Sequence, residues 1–218
     1  MPMMTPSNEI TRIRVCYSKR DGLRFTGHLD LQRLWERLLR RTGLPVRYTQ
    51  GYHPRARLNL ASALPLGFVS DEELLDFWMD EHLPMDDIKT RLAAAAPPGL
   101  EIHSIQQIDL GDDALQVQMK ASEFVVSFYD PPDCSELGQK VNQLLSQDEI
   151  ITTRRKKTYN LRPLILDLET TSDSSGEPGL WIRLLAEPGA TGRPDDLLEA
   201  LGYPNTAYLV RRTKIILA

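Results

Sequence analysis

Only two cysteines, Cys16 and Cys134, occur in the 218 residues. Zinc and iron–sulfur centres ordinarily take three or four soft ligands, so this pair excludes a self-contained centre of either kind. The thiols are expected to be reduced and mostly buried, as in a cytosolic chain of this size. No apolar run approaches the ~20 residues that cross a bilayer, so no membrane partner is expected. Residues 1–8 are polar and lack the apolar core of a secretory signal. The expected location is therefore the cytoplasm, with residues 1–9 a disordered tail. The phosphate-binding, dinucleotide-binding, serine-hydrolase and zinc-protease motifs are all absent. Cofactors and metals are expected to be none. His82 and His103 stand alone, as surface and strand residues.

What is present is ordinary globular composition, 41% hydrophobic and 26% charged, with a net charge of −4. The charge is unevenly spread. Arg12, Arg14, Lys19, Arg20, Arg24, Arg33, Arg37, Arg40, Arg41, Arg47, Arg55 and Arg57 are opposed within their stretch only by Asp21, Asp30 and Glu36. Asp71, Glu72, Glu73, Asp76, Asp80, Glu81, Asp86 and Asp87 then follow with no cation before Lys89. Two readings are open. The basic stretch forms a directed surface field, or the two stretches neutralise each other in the fold. The carboxylates of 71–87 are expected on a solvated face.

The spacing of apolar residues predicts the elements. Ile13, Val15 and Tyr17 alternate with Arg12, Arg14 and Cys16, which is strand spacing over 10–18. Leu31, Leu34, Trp35 and Leu38 make the apolar stripe of a helix over 30–42, with Asp30 as N-cap and Gly43 as stop. Short strands are expected at 46–49 and 57–61, then a strand at 73–79, a helix at 84–95 and a strand at 100–108. A similar order recurs: strand 123–128, helix 135–145, strand 150–154, a polar interruption 155–160, strand 161–168, loop 170–179, strand 180–186, helix 194–201 and strand 207–217. The fold class is α+β, with two tandem ferredoxin-like (βαββαβ) halves and antiparallel sheets. The expected division is a first domain over 10–108, a linker over 109–121 and a second domain over 122–218.

The candidate site residues cluster in three segments. On the helix, Arg33, Arg37, Arg40 and Arg41 share one face, where an anion between them would relieve their repulsion. Before it, Arg24, Gly27 and His28 lie where a helix N-terminus offers N–H groups to phosphate. In VRYTQGYHPRAR (46–57), Arg47, Arg55 and Arg57 interleave with Tyr48, Tyr52 and His53, so rings could stack on bases while guanidiniums take phosphates. In RRKKTYNLR (154–162), Lys156, Lys157, Tyr159 and Arg162 repeat the theme. The expected ligand is RNA, either tRNA or rRNA. No residue is expected to be catalytic; His28 alone could act as the general base of a metal-independent endoribonuclease.

Residues 23–79, with GHLDL, the GYHP turn, LPLG and the Ser-x-x-Glu that follows, resemble the signature of the radical SAM-linked family of bacterial proteins. RKKTYNLRPLI (155–165) resembles its second motif, in which an acidic residue is common where this sequence has Asn160. The resemblance implies a partner, a B12-binding radical SAM protein that is fused to such chains or encoded beside them, often near an RNase E/G-type gene. This sequence has no three-cysteine cluster motif, so the implied role is an RNA-binding accessory or substrate-presenting module for an RNA-modification enzyme. Alternatives are the endoribonuclease and a protein-interaction module docking the radical SAM partner. At fold level the two halves also resemble the RNA-recognition folds of CRISPR repeat-processing endonucleases.

Overall fold

A computed structural model describes residues 10–154, 156–172, 175–203 and 207–218. The expected tail (1–9), Arg155 of the second basic segment, and residues 173–174 of the expected 170–179 loop lie outside the described residues. The chain forms two compact units. One runs up to Leu66 and resumes over Ser70–Val117; the other takes Gly67–Val69 and Gln118–Ala218.

In the first unit the elements are β1 (Thr11–Lys19), α1 (His28–Thr42), β2 (Leu58–Leu60), β3 (Val69–Met79), α2 (Met85–Ala95) and β4 (Leu100–Ile108). The strands pair antiparallel in the order β2-β3-β1-β4. Ile13, Val15 and Tyr17 are fully buried and cluster with Leu31, Trp35, Leu38 and Leu39 of α1 and with Ile88 and Leu92 of α2. Each large apolar side chain taken out of water there contributes about 1.5–3 kcal/mol. Tyr17 meets Trp35 edge to face, ring centres 4.8 Å apart.

Several details differ from expectation. The N-cap of α1 is Gly27, not Asp30. The helix starts earlier because glycine is itself a serviceable cap, and Asp30 serves instead as an acid in the first turn, facing the positive helix end. Gly43 does end α1, at φ 64°, the left-handed conformation that costs a glycine little. The strand expected over 46–49 is reduced to two isolated bridges, Val46 to Met79 and Tyr48 to Ala56. Its expected continuation over 57–61 shortens to the three residues of β2.

Of the two readings of the charge runs, neutralisation within the fold holds at β1: Arg12 and Arg14 are buried, and both donate to Asp76, which is fully buried on β3. Arg14 and Asp76 are direct partners across the two strands. Arg12 also donates to the carbonyls of Asp112 and Asp113 at 2.6 and 2.8 Å. Glu73 is buried as well, so these two carboxylates depart from the expected solvated face, while Glu81 and Asp86 are exposed.

The one-turn helix α3 (Leu115–Gln118) spans the division between the units. The second unit follows with β5 (Met119–Phe128), α4 (Cys134–Leu145), β6 (Ile151–Arg154), β7 (Lys157–Asn160), β8 (Ile165–Ser172), β9 (Pro178–Glu187), β10 (Ala190–Thr191), α5 (Pro194–Ala200) and β11 (Tyr208–Leu217). Its main sheet runs β11-β5-β9-β8, again antiparallel throughout. The expected interruption at 155–160 is instead a hairpin strand, with β6 and β7 paired from Ile151–Asn160 to Arg154–Lys157. A polar run reads as a break when no apolar alternation marks it, yet a two-stranded ribbon with polar residues on both faces needs none.

Both cysteines are free, but they are not mostly buried: Cys134 is exposed and Cys16 only partly covered. Burial, with help from Glu72, pushes the Cys16 thiol up to about 11. Because only the thiolate reacts, a disulfide reagent near neutral pH should label one thiol quickly, at Cys134. Cys16 should follow only as the pH nears its raised value. Rapid labelling of both at neutral pH would contradict this.

Candidate nucleic-acid interface

The structure sorts the predicted basic residues into those spent on the fold and those left outside it. On α1, Arg33 pairs with Asp30 at 3.3 Å on the open surface, an arrangement worth little. Arg41 donates to the Ala95 carbonyl at 2.6 Å, closing the C-terminal end of α2. Arg37 and Arg40 are exposed and make no ion pair or hydrogen bond among the described residues. They project from the side of the helix opposite Leu31, Trp35 and Leu38, since α1 buries one face only. Elsewhere Arg12, Arg14, Arg20 and Arg47 pair with Asp76, Asp71 and Asp80. Local neutralisation thus holds for these four, while Arg37 and Arg40 are left exposed with no partner among the described residues.

Residues 46–57 form a narrow arm. Arg47 N donates to the Trp78 carbonyl at 2.7 Å, Thr49 N to Arg55 O at 2.8 Å, and Arg57 N to Arg47 O at 2.8 Å. These bonds fold the segment back on itself and leave residues 50–54 at its tip. Tyr52 at that tip is 100% exposed, and His53 and Arg55 beside it are exposed. A fully exposed tyrosine contributes nothing to the core, so its ring is available to a ligand. Tyr48 is partly exposed lower on the arm. Arg57 lies over the Trp78 ring at 4.4 Å, a cation–π contact that holds the arm's base.

Arg24 and His28 flank the entry to α1. Arg24 stacks on Phe25 at 4.6 Å, and Phe25 is itself 64% exposed. Arg24 Nε and His28 Nδ1 are shielded from solvent with no hydrogen-bond partner among the described residues. Lys19 donates to the Thr26 carbonyl at 3.0 Å, fixing this loop from below.

The second basic segment occupies a comparable position in its own unit, as a hairpin between the unit's first long helix and its next sheet strand. Lys156, at φ 69°, and Lys157 are exposed at its turn. Arg162, just beyond, is partly exposed. Tyr159 is not available in the same way: its hydroxyl donates to Asp196. Arg154 donates to both Asp195 and Asp196 at 2.8 Å. Burial pushes the Asp195 carboxyl up, but the hydrogen bond from Arg154 and the charge of Arg193 outweigh it and hold Asp195 below the usual carboxylate range. Asn160 Oδ1 accepts from Ile150 N and Arg162 N at 2.9 and 3.0 Å, an acceptor role that amide and carboxylate can both fill.

Sequence reasoning missed this Arg154–Tyr159–Asp195–Asp196 network. Asp195 and Asp196 follow Pro194 as ordinary first-turn acids, and nothing local marks them as partners of residues some forty positions earlier. The network anchors the hairpin to α5. Asp196→Ala should loosen β6 and β7 by about 1–3 kcal/mol by leaving Tyr159 and part of Arg154 unpaired. Amide hydrogen exchange over 151–160 should then accelerate while β5 and β9 stay protected; unchanged exchange would rule out the anchor.

Among the described residues there is no group of three or more His, Cys, Asp or Glu placed to hold a metal, and no helix long and apolar enough to cross a membrane. A family model described as "Uncharacterized protein conserved in bacteria (DUF2344)" matches residues 12–193. The chain belongs to this family. DUF2344 thus takes in both basic segments and all but the last elements of the second unit. No curated protein matches. Solved chains with some likeness come from a Cbf5-Nop10-Gar1 complex (TM-score 0.47, 9% identity) and from an H/ACA RNP bound to a substrate RNA containing 2'-deoxyuridine (0.47, 10%). A third is an archaeal box H/ACA sRNP Nop10-Cbf5 complex (0.45, 10%). Each match covers 94% of this chain, which spans about half the length of each of those chains, 47–48%. No function is carried over from them.

Proposed function

We propose that this DUF2344 protein is an RNA-binding accessory or substrate-presenting module, serving a radical SAM enzyme that modifies structured RNA such as tRNA or rRNA. The observation that carries the RNA reading is the pair Arg37 and Arg40. They are exposed cations on one helix face with no partner among the described residues, and their unit also presents the Tyr52–His53–Arg55 tip. Guanidiniums without carboxylates suit phosphate, and an exposed ring beside them suits a base. Arg24, His28, Arg33, Arg47, Tyr48 and Arg57 would border this grip. Lys156, Lys157 and Arg162 would give the second unit a phosphate-binding edge of its own.

Both units also support the tandem ferredoxin-like reading. Taking the four main strands of each in chain order, the first unit pairs as 4-1-3-2 and so does the second, with the β6–β7 hairpin inserted after its first helix. The division into domains at 10–108 and 122–218 goes with that reading. The radical SAM partnership rests on the sequence signature alone.

Binding should be steeply salt-dependent, because each phosphate neutralised releases counterions. Titration with total cellular RNA at low salt should show binding that fades as salt rises; no binding at low salt would remove the proposal. Copurification of a B12-binding radical SAM protein that survives RNase treatment tests the partnership. A second reading has one observation in its favour, the unpartnered His28 Nδ1. If the protein is a metal-independent ribonuclease, RNA incubated with it in EDTA should be cut, and His28→Ala should abolish the cutting. Intact RNA removes that reading.

A further inference from the structure

The second unit holds a groove of about 560 Å³ formed within its own sheet. Ser127 of β5, Glu169 and Thr171 of β8, Glu177, Trp181 of β9 and Arg211 of β11 line it. Along β5 and β9, Phe124, Val126, Phe128, Leu180, Ile182 and Leu184 are buried. The residues between them therefore project from the opposite face of the sheet, and the groove uses that face. Its volume lies within the roughly 300–1,000 Å³ of small-molecule sites. Its lining is more polar than such sites usually are, and it includes one large aromatic side chain.

The setting of Trp181 is informative. Arg183 lies over the indole at 5.0 Å and is itself held by Glu123, its direct partner across β5 and β9, at 2.9 Å. The ring plane is thus fixed before any ligand arrives. The charged groups of the lining are two carboxylates and one guanidinium, a poor balance for a phosphate chain. Carboxylates are acceptor-only, so they suit N–H and O–H groups of a neutral ligand. A flat ring carrying donors, with sugar hydroxyls attached, meets an indole, carboxylates and hydroxyls on complementary terms.

We infer that this groove holds one unstacked nucleoside of a single-stranded RNA segment, its base lying on Trp181 and its donors facing Glu169. The inference rests on the RNA-binding reading above and adds where a base, rather than a phosphate, is taken. Every base has a π-face, so stacking here is tolerant of sequence. Single-stranded elements are where proteins reach base faces in RNA.

The chain supplies its own probe. Of its three tryptophans, Trp35 and Trp78 are 0% and 6% exposed, which leaves Trp181 as the reporter of ligand contact. Full-length protein titrated with a short single-stranded oligoribonucleotide of mixed sequence should show saturable quenching of tryptophan emission. Labelled RNA followed by anisotropy gives the affinity in parallel. Trp181→Leu, which keeps apolar bulk without the ring, should abolish the quenching and weaken binding roughly 5- to 150-fold. Trp181→Phe should keep most of the affinity, which a merely structural role would not require. RNA bound with no change in emission, or bound equally by Trp181→Leu, overturns the inference and leaves the α1 grip standing. No binding in either readout overturns both. Quenching that persists in an Arg37→Glu/Arg40→Glu variant of unchanged affinity overturns the grip alone.

Discussion

Reversing both free cations of α1, in Arg37→Glu/Arg40→Glu, should raise the dissociation constant for RNA by at least about tenfold at low salt. The dependence of log K on log salt should flatten by roughly 1.4–1.8, at about 0.7–0.9 for each phosphate no longer neutralised. The reason lies in what these residues lack. Arg33 has Asp30, Arg41 has the Ala95 carbonyl, and Arg47 has Asp80. Arg37 and Arg40 have solvent. Removing them costs the fold little, so the unfolding midpoint should move by less than about 0.5 kcal/mol in equivalent stability. Retention of wild-type affinity and salt slope would sink the α1 grip. Lost binding to a radical SAM protein with RNA binding intact would instead favour the protein-docking reading of the same face.

Asp76→Ala should be the most damaging single change to stability, at about 3–5 kcal/mol. The carboxylate is fully buried and accepts from Arg12 Nε and Nη2 at 3.0 and 2.6 Å and from Arg14 Nε at 2.8 Å. Its loss leaves two guanidiniums buried next to each other. Arg12 would keep the carbonyls of Asp112 and Asp113, which do not neutralise it. Urea unfolding measures the cost, and a loss below about 1 kcal/mol would refute the account. Arg12→Met/Arg14→Leu/Asp76→Leu should recover much of the stability, because apolar groups of similar volume can replace a buried ion cluster.

These two predictions treat the same basic stretch in opposite ways, and the difference was not visible in the chain. Arg12 and Arg37 read alike as cations in an uncompensated run. Alternation placed Arg12 on the face of β1 away from Ile13 and Val15, and left open whether that face meets water or the acidic run. The structure covers that face too. Asp76 is paired in register with Arg14, and the carbonyls of residues 112–113 close over Arg12. Conversely, the helical stripe of Leu31, Trp35 and Leu38 correctly implied that Arg37 and Arg40 face outward, because a helix with one apolar face has a defined opposite side. Tyr52 and Tyr159 divide likewise. Both sit in basic, turn-rich segments, yet one is bare at a hairpin tip and the other is bonded to Asp196.

By itself, the sequence determined the elements whose cause is local. Local signals set α1, α2, α4, β1 and β4 to within a residue or two of their ends, through the apolar period at α1 and β1 and through Gly43 where α1 stops. It also determined the lack of soft ligands and of any long apolar span. Only the tertiary structure decided which charges are spent inside the fold. Asp76 lies more than sixty positions from its arginines, and Asp196 about forty from Arg154 and Tyr159. It likewise decided that Trp181, alternating along β9 like any other residue, lines a groove. Periodicity is written into neighbouring residues. Charge pairing and cavities depend on which strands lie side by side, and no local pattern encodes that.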